Sequence, residues 1–258
     1  MIQGYVCSCT HIFILFLCVT PIVYSPLYRA GILEGLHYMH IRSIAHRDMK
    51  PENVLISKDG FPIIVDLGFA KEIKDKSYTL CGSPLYIAPE NILGKGHDMS
   101  CDYWSWACMI HEMLTGTTPF ELRATDQSSL FKAIIKQQYD LSGPPVAVQL
   151  IRKVLVRPQQ RLGNLAGGTR DLKEHAWFKN DVDFVKLANK DSGVPWKPKV
   201  DDPLDAAEFH NYYETEANAE PLTKRDKQKF AELDELYAKL KQEDKRATFQ
   251  NWLSQRSL

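Results

Sequence analysis

The sequence predicts an α+β fold that is mainly helical and contains one small β-hairpin. Apolar side chains recur every three or four residues across 27–40, which is the spacing of one helix face. A second stretch, rich in aromatic and aliphatic residues, predicts a helix over 102–114. Two short aliphatic runs, 54–56 and 62–65, flank a Lys-Asp-Gly turn and predict the hairpin.

The remaining elements follow from breaks in the pattern. Two more helices are predicted over residues 126–138 and 146–156, separated by a Gly-Pro-Pro break. Residues 66–97 contain repeated Gly and Pro and predict a long loop, which in a small domain is usually functional. Residues 178–220 have weak periodicity, whereas 222–246 predict a helix with an apolar stripe.

Composition and charge exclude several functional classes. The chain has 258 residues, of which 44% are hydrophobic and 25% charged, as in ordinary globular proteins. Lys+Arg and Asp+Glu both total 32, so the net charge is zero and no nucleic-acid partner is expected. The six cysteines fit neither a disulfide framework nor a zinc pattern, which predicts a reducing, cytoplasmic location.

The N-terminal segment, residues 1–25, differs from the rest of the chain. No charged side chain precedes Arg29, and residues 12–24 are almost wholly apolar. Three interpretations stay open: a mistaken or unusual start of the sequence, a membrane-associated segment within residues 5–24, and a buried strand or helix. The second interpretation would replace the cytoplasmic location by a membrane-associated one.

Three short motifs follow one another in a fixed order. They are HRDMKPEN at 46–53, DLG at 66–68 and APE at 88–90. Their order and spacing resemble those of the protein kinase family, over residues 26–178. The resemblance implies a protein-kinase-like α+β fold, represented mainly by the helical C-terminal lobe.

The resemblance implies a role for each residue of the predicted site. Asp48 would accept the proton of the substrate hydroxyl, and Lys50 would place a positive charge near the transferred phosphoryl group. Asn53 and Asp66 would supply oxygen ligands to Mg²⁺. Asp48, Lys50 and Asn53 are therefore the catalytic candidates.

The implied cofactors are ATP and Mg²⁺. Leu55 would close the adenine pocket from one side, and Glu52 would reach the ribose or a basic residue of the substrate. The residues assigned to the cofactors are Lys50, Glu52, Asn53, Leu55 and Asp66.

Residues 78–90 resemble the activation segment of AGC-type serine/threonine kinases, above all the cyclic-nucleotide-dependent kinases. In that family Thr79 matches the phosphorylated position, and Arg47 and Lys71 would bind its phosphate. Ser83 replaces a threonine of the family pattern, and its hydroxyl would still bridge Asp48 and Lys50.

The same resemblance implies protein partners. The Lys at position 50 is typical of kinases that modify Ser or Thr. Glu52 and Glu112 match acidic positions that would pair with basic residues before the target, and Ser83 would also face the substrate. A regulatory subunit or domain is a further implied partner.

Other matches are structural. Asp102 would hold the backbone of the catalytic loop, and Glu90 would form a buried ion pair with Arg161. Residues 179–220 resemble the AGC-type C-terminal tail, with 209–212 passing over the nucleotide pocket unless this stretch is an acidic linker. Residues 221–258 are a helical extension.

The first lobe of the family is not found in the sequence. There is no G-x-G-x-x-G loop and no V-A-I-K lysine, and residues 1–25 cannot build a five-stranded lobe. Three interpretations follow: a kinase sequence that lacks its N-lobe, an inactive binding or scaffold module, and a membrane-anchored lobe. The intact set Asp48, Lys50, Asn53 and Asp66 favours the first, and we expect the chain alone to transfer phosphate at a negligible rate.

Overall fold

The structure, a computed structural model, describes Phe13–Ile14 and residues 26–197. All of these residues fall within one unit of the chain, Ile2–Asn211. The tail segment 209–212 and the helix predicted over 222–246 lie outside the described residues. Within the described ranges, no helix is both long enough and apolar enough to span a membrane.

Helices dominate the described part of the chain, as the sequence predicts. Eight α-helices are present there: α1 Pro26–His40, α2 Pro89–Ile92, α3 Ser100–Thr115, α4 Gln127–Lys136, α5 Pro145–Val154, α6 Thr169–Lys173, α7 Ala176–Lys179 and α8 Phe184–Ala188. The four helices predicted within this part of the chain occur, with ends shifted by one or two residues. For example, α4 stops before Gln137, whose φ of 54° is left-handed.

The strands are short and form two small antiparallel sheets. In the described residues they are β1 Phe13–Ile14, β2 Ile44–Ala45, β3 Val54–Ile56, β4 Pro62–Ile64 and β5 Lys71–Glu72. One sheet has the order β1-β3-β4, and the other pairs β2 with β5. The predicted hairpin is β3–β4, with Leu55 opposite Ile63, and Gly60 turns the chain with a φ of +88°.

The core surrounds α3, because 13 of its 16 residues are buried. Trp104 stacks on Phe120 with ring centroids 5.6 Å apart, and Trp106 lies 6.3 Å from Phe178. A helix that is buried on nearly all sides must be covered by other elements. Helices α1 and α5 contribute to that cover.

Residues 66–97 are more structured than the predicted long loop. They contain a 3₁₀ turn at Leu67–Phe69, the strand β5 and the short helix α2. Strand β5 pairs with β2, whose last residue directly precedes the motif that starts at His46. The start of the segment is therefore paired with the strand that leads into the predicted catalytic loop.

Candidate active site

The predicted catalytic loop is held by a single carboxylate of the central helix. Asp102 is fully buried and accepts hydrogen bonds from the backbone N–H groups of His46, at 2.8 Å, and Arg47, at 2.7 Å. Its Oδ2 also lies 2.8 Å from Nε2 of His40. Burial alone would raise the pKa of Asp102, but these bonds, led by the one from His40, hold its pKa below the usual value.

That support matters because Arg47 has a left-handed backbone with a φ of 69°. A non-glycine residue in this region is strained, and such strain persists only where surrounding contacts enforce it. The backbone bonds to Asp102 supply the enforcement. The predicted structural role of Asp102 thus matches its position.

Asp48 is the centre of a compact polar cluster. Its carboxylate is buried and accepts a 2.7 Å bond from the backbone N–H of Ser83. Lys50 Nζ lies 3.2 Å from Asp48 Oδ2 and donates to Ser83 Oγ at 3.1 Å. Asn53 Nδ2 approaches the same carboxylate at 3.4 Å. Ser83 therefore bridges both predicted residues, but it does so with its backbone N–H to Asp48 and its hydroxyl to Lys50.

The two predicted metal ligands lie at the same end of the β3–β4 hairpin. The side-chain amide of Asn53 donates to the backbone oxygen of Asp48 at 2.7 Å. The backbone carbonyl of Asn53 accepts from the backbone N–H of Val65 at 2.9 Å. Val65 directly precedes Asp66, which has a φ of 59° and accepts from the N–H of Gly68 at 3.1 Å. The hairpin thus brings together two residues that are 13 positions apart in sequence.

The donor set at this end of the hairpin fits Mg²⁺. The amide nitrogen of Asn53 is committed to Asp48, which leaves its oxygen for an ion, and Asp66 contributes an exposed carboxylate. Among the described residues, no group of three or more His, Cys, Asp and Glu side chains could hold a metal by itself. An ion here would therefore take its other ligands from phosphate oxygens and water.

Two predicted nucleotide contacts are close to Asn53 in sequence. Leu55 is partly exposed on the central strand β3, and Glu52 is exposed in the 3₁₀ turn Pro51–Asn53. Glu52 directly precedes the buried Asn53 in sequence, and Leu55 follows it by two positions. Their roles toward ATP stay predictions.

Glu52 and Glu112, the predicted substrate-binding residues, share one acidic surface. Tyr86 donates its hydroxyl to Glu112 Oε2 at 2.5 Å. Burial raises the pKa of Glu112 above its usual value, the hydrogen bond from Tyr86 opposes this rise, and the negative charges of Glu52 and Glu121 add to it. Sequence reasoning missed Glu121 because it lies in a short turn, Glu121–Arg123, that matches no motif.

The predicted phosphate-binding cations meet at a different residue from the one expected. Arg47 Nη1 lies 3.2 Å from Ser77 Oγ, and Lys71 Nζ lies 3.3 Å from the same oxygen. Thr79, the predicted phosphosite, is exposed two residues further on. Sequence reasoning missed Ser77 because the motif that it matched begins after it. The phosphorylation of Thr79 stays a prediction.

The predicted ion pair between Glu90 and Arg161 is present and bidentate. The two N···O distances are 2.6 and 3.0 Å, and both side chains are buried. Arg161 also donates to the backbone oxygens of Ser100, at 2.9 Å, and Val156, at 3.0 Å. This pair joins the end of the activation segment to α3 and to the loop after α5.

Comparison with known proteins decides the family. The pattern of the family described as "Protein kinase domain" matches residues 24–178, more than half of the chain. The chain belongs to the protein kinase family. This agrees with a fold in which a helical lobe carries the catalytic motifs.

Its relatives include kinases regulated by cyclic nucleotides, as the activation segment predicts. The chain is 39% identical over 210 residues to cAMP-dependent protein kinase catalytic subunit 3 of Drosophila melanogaster, covering 80% of this chain and 36% of the relative. It is also 39% identical over 193 residues to cGMP-dependent protein kinase egl-4 of Caenorhabditis elegans, covering 72% of this chain and 24% of the relative. For cAMP-dependent protein kinase type 3 of Saccharomyces cerevisiae the identity is 39% over 200 residues, covering 75% of this chain and 49% of the relative. The chain thus spans from a quarter to a half of the length of these kinases.

Proposed function

We propose that the protein is a serine/threonine kinase that transfers the γ-phosphoryl group of ATP to a protein hydroxyl. The observation that supports this most strongly is the arrangement around Asp48. Its buried carboxylate is held in place by Ser83, Lys50 and Asn53, so it is fixed before any substrate binds. Catalysis of phosphoryl transfer rests mostly on such positioning.

In the proposed reaction, Asp48 accepts the proton of the attacking hydroxyl while that oxygen bonds to phosphorus. The bond between the γ-phosphorus and the β–γ bridging oxygen breaks, and ADP leaves. Lys50 sits beside the carboxylate, and its charge would lie near the transferred group. Asn53 and Asp66 would hold Mg²⁺, which neutralises phosphate charge when it is bound with ATP.

We further propose that the substrates carry basic residues before the target Ser or Thr. Glu52 and Glu112 lie close enough for their charges to interact, and both are near Tyr86. A positive side chain placed between two carboxylates relieves their mutual repulsion. Such a surface therefore favours arginine or lysine over neutral side chains.

A second candidate function is an inactive binding or scaffold module. It is favoured by one observation: the 258-residue sequence contains no G-x-G-x-x-G loop and no V-A-I-K lysine. ATP in this family is held with the help of both motifs. We therefore propose that the lobe needs a first lobe to be active, and that the 258-residue chain alone has negligible activity.

One experiment separates the two candidates. A two-lobed protein is made by joining residues 26–258 to the first lobe of a cAMP-dependent kinase. Phosphate transfer from Mg²⁺–ATP to a serine peptide with preceding arginines is then measured for this protein and for the 258-residue chain. We expect transfer by the two-lobed protein, weaker transfer to the same peptide with alanines, and negligible transfer by the chain. A folded two-lobed protein that transfers no phosphate would favour the scaffold.

A further inference from the structure

A small cavity is bordered by the catalytic loop, the activation segment and α3. Asp48 and Ser83 line it, together with Asn91 of α2 and with Cys101 and Ser105 of α3. The cavity volume is about 10 Å³. This is the room that one water molecule needs, and it is too small for a nucleotide or for the side chain of a bound peptide.

Asn91 brings an unpaired acceptor to this cavity. The residue is 6% exposed, and in the described part of the chain its Oδ1 has no hydrogen-bond partner. A buried carbonyl oxygen that loses its bonds to solvent costs free energy unless another donor replaces them. Buried polar atoms are therefore nearly always paired with a protein group or with an ordered water molecule. For Asn91 Oδ1 the described protein groups supply no such donor.

Two other groups of the lining can accept a second bond from the same donor. Ser105 Oγ donates to the backbone oxygen of Tyr86 at 2.8 Å, and a hydroxyl that donates keeps lone pairs with which it can accept. The carboxylate of Asp48 accepts from the backbone N–H of Ser83 at 2.7 Å and has further acceptor sites. The cavity thus offers acceptors on different elements to a ligand with two O–H groups.

The chemistry of the lining excludes a metal ion. Burial raises the pKa of Cys101 well above its usual value, and the charge of Asp102 raises it further, so the thiol stays protonated. Arg47, which carries a positive charge, lines the same cavity. In the ranges that the structure describes, no group of three or more His, Cys, Asp and Glu side chains could hold a metal. A small neutral donor is the ligand that fits.

We propose that this cavity is a binding site for one water molecule, which donates one hydrogen bond to Oδ1 of Asn91 and the other to a second acceptor of the lining. The water joins α2, at the end of the activation segment, to the catalytic loop through Asp48 or to α3 through Ser105. Buried waters in proteins are held by such sets of polar partners on different elements. The proposal concerns the folded lobe alone and does not rest on the proposed function.

The first test is a crystal structure of the 258-residue chain at a resolution that shows ordered water. We expect one water molecule within about 3.2 Å of Asn91 Oδ1 and within the same distance of a second acceptor of the lining. An empty cavity, or a water molecule that lacks either contact, would overturn the proposal.

The second test detects the water in solution by magnetisation transfer to the backbone N–H of Ala88, which also lines the cavity. A water molecule held for longer than the protein takes to tumble gives a nuclear Overhauser effect of the same sign as the protein's own, whereas surface water does not. We expect this signal in the wild type and its loss in Asn91→Leu, because leucine has no acceptor and its larger side chain fills the cavity. Asn180→Leu is the matched control, since Asn180 is exposed, and it should keep the signal.

A wild-type protein without this signal, or a folded Asn91→Leu protein that keeps it, would contradict the proposed site. The crystal structure of the wild type decides the question even if Asn91→Leu does not fold. Neither measurement depends on phosphate transfer, so a failure here is distinguishable from a failure of the proposed function.

Discussion

In the described part of the chain, Ser83 contacts both Asp48 and Lys50 of the catalytic loop. The family resemblance predicts that the hydroxyl at this position bridges both residues. In the structure the hydroxyl accepts from Lys50, and the backbone N–H donates to Asp48. Only the hydroxyl contact depends on the side chain. Sequence reasoning could not foresee the backbone contact, since it depends on how the chain turns at Gly82, whose φ is +104°.

This division predicts how substitutions at Ser83 behave. In the two-lobed protein, Ser83→Ala should lower kcat roughly tenfold, as expected for the loss of one hydrogen bond to a charged group. Ser83→Thr keeps the hydroxyl and should retain most of the activity. Steady-state kinetics with a basic serine peptide measure both. Equal kcat values for Ser83→Ala and the wild type would show that the Lys50 contact does not matter.

At the scale of elements, one carboxylate on α3 fixes the loop that follows β2. The pKa of Asp102 is lowered in the folded protein, so the unfolded chain binds this proton more readily than the folded one. The stabilisation by Asp102 is therefore complete above the ordinary carboxyl pKa, about 4. It is lost as the pH falls through the lowered value.

We therefore expect acid to weaken the fold through Asp102. Asp102→Asn should reduce the free energy of unfolding at neutral pH by about 3 kcal/mol, because an amide cannot accept all of the present bonds. The variant should also show a smaller further loss between neutral pH and pH 3. Urea unfolding followed at several pH values measures both effects. A variant whose acid-induced loss equals that of the wild type would contradict this account.

The Glu90–Arg161 pair offers a second prediction about elements. Arg161 is fully buried, so Arg161→Ala leaves Glu90 as an unpaired buried charge and should cost about 3–5 kcal/mol of unfolding free energy. Arg170→Ala is the matched control, since Arg170 forms an exposed pair with Glu174 at the same 2.6 Å distance. The control should leave stability nearly unchanged. Similar losses in both variants, measured by urea unfolding, would contradict the importance of burial.

The elements themselves show where sequence reasoning succeeds. Helix α3 and the β3–β4 hairpin follow from apolar patterning and a Lys-Asp-Gly turn, which are local signals. The short strand β5 was not predicted, because it exists only through its pairing with β2, 27 residues earlier. The same holds for the contact of Ser77 with Arg47, which lies 30 residues earlier in the chain.

At the scale of the whole molecule, the catalytic motifs meet because they are attached to one helical core. Asp48 reaches Ser83, which is 35 residues away in sequence, and Asp102 reaches back to His46. The family resemblance predicts these long-range contacts, whereas the local pattern of apolar residues does not. The chain spans only part of the length of its relatives, so the proposed activity of the whole kinase rests on this lobe together with a first lobe.

The central claim is that Asp48 accepts the proton of the substrate hydroxyl. Its most direct test is the loss of activity on Asp48→Asn in the two-lobed protein. The substitution keeps the size of the side chain but removes the group that accepts the substrate proton. We expect kcat to fall by about 10²–10⁴-fold, the usual contribution of a positioned general base. Asp191→Asn, which changes an exposed aspartate of the same lobe, should leave kcat unchanged. A folded Asp48→Asn protein that phosphorylates the peptide as fast as the wild type would contradict the account.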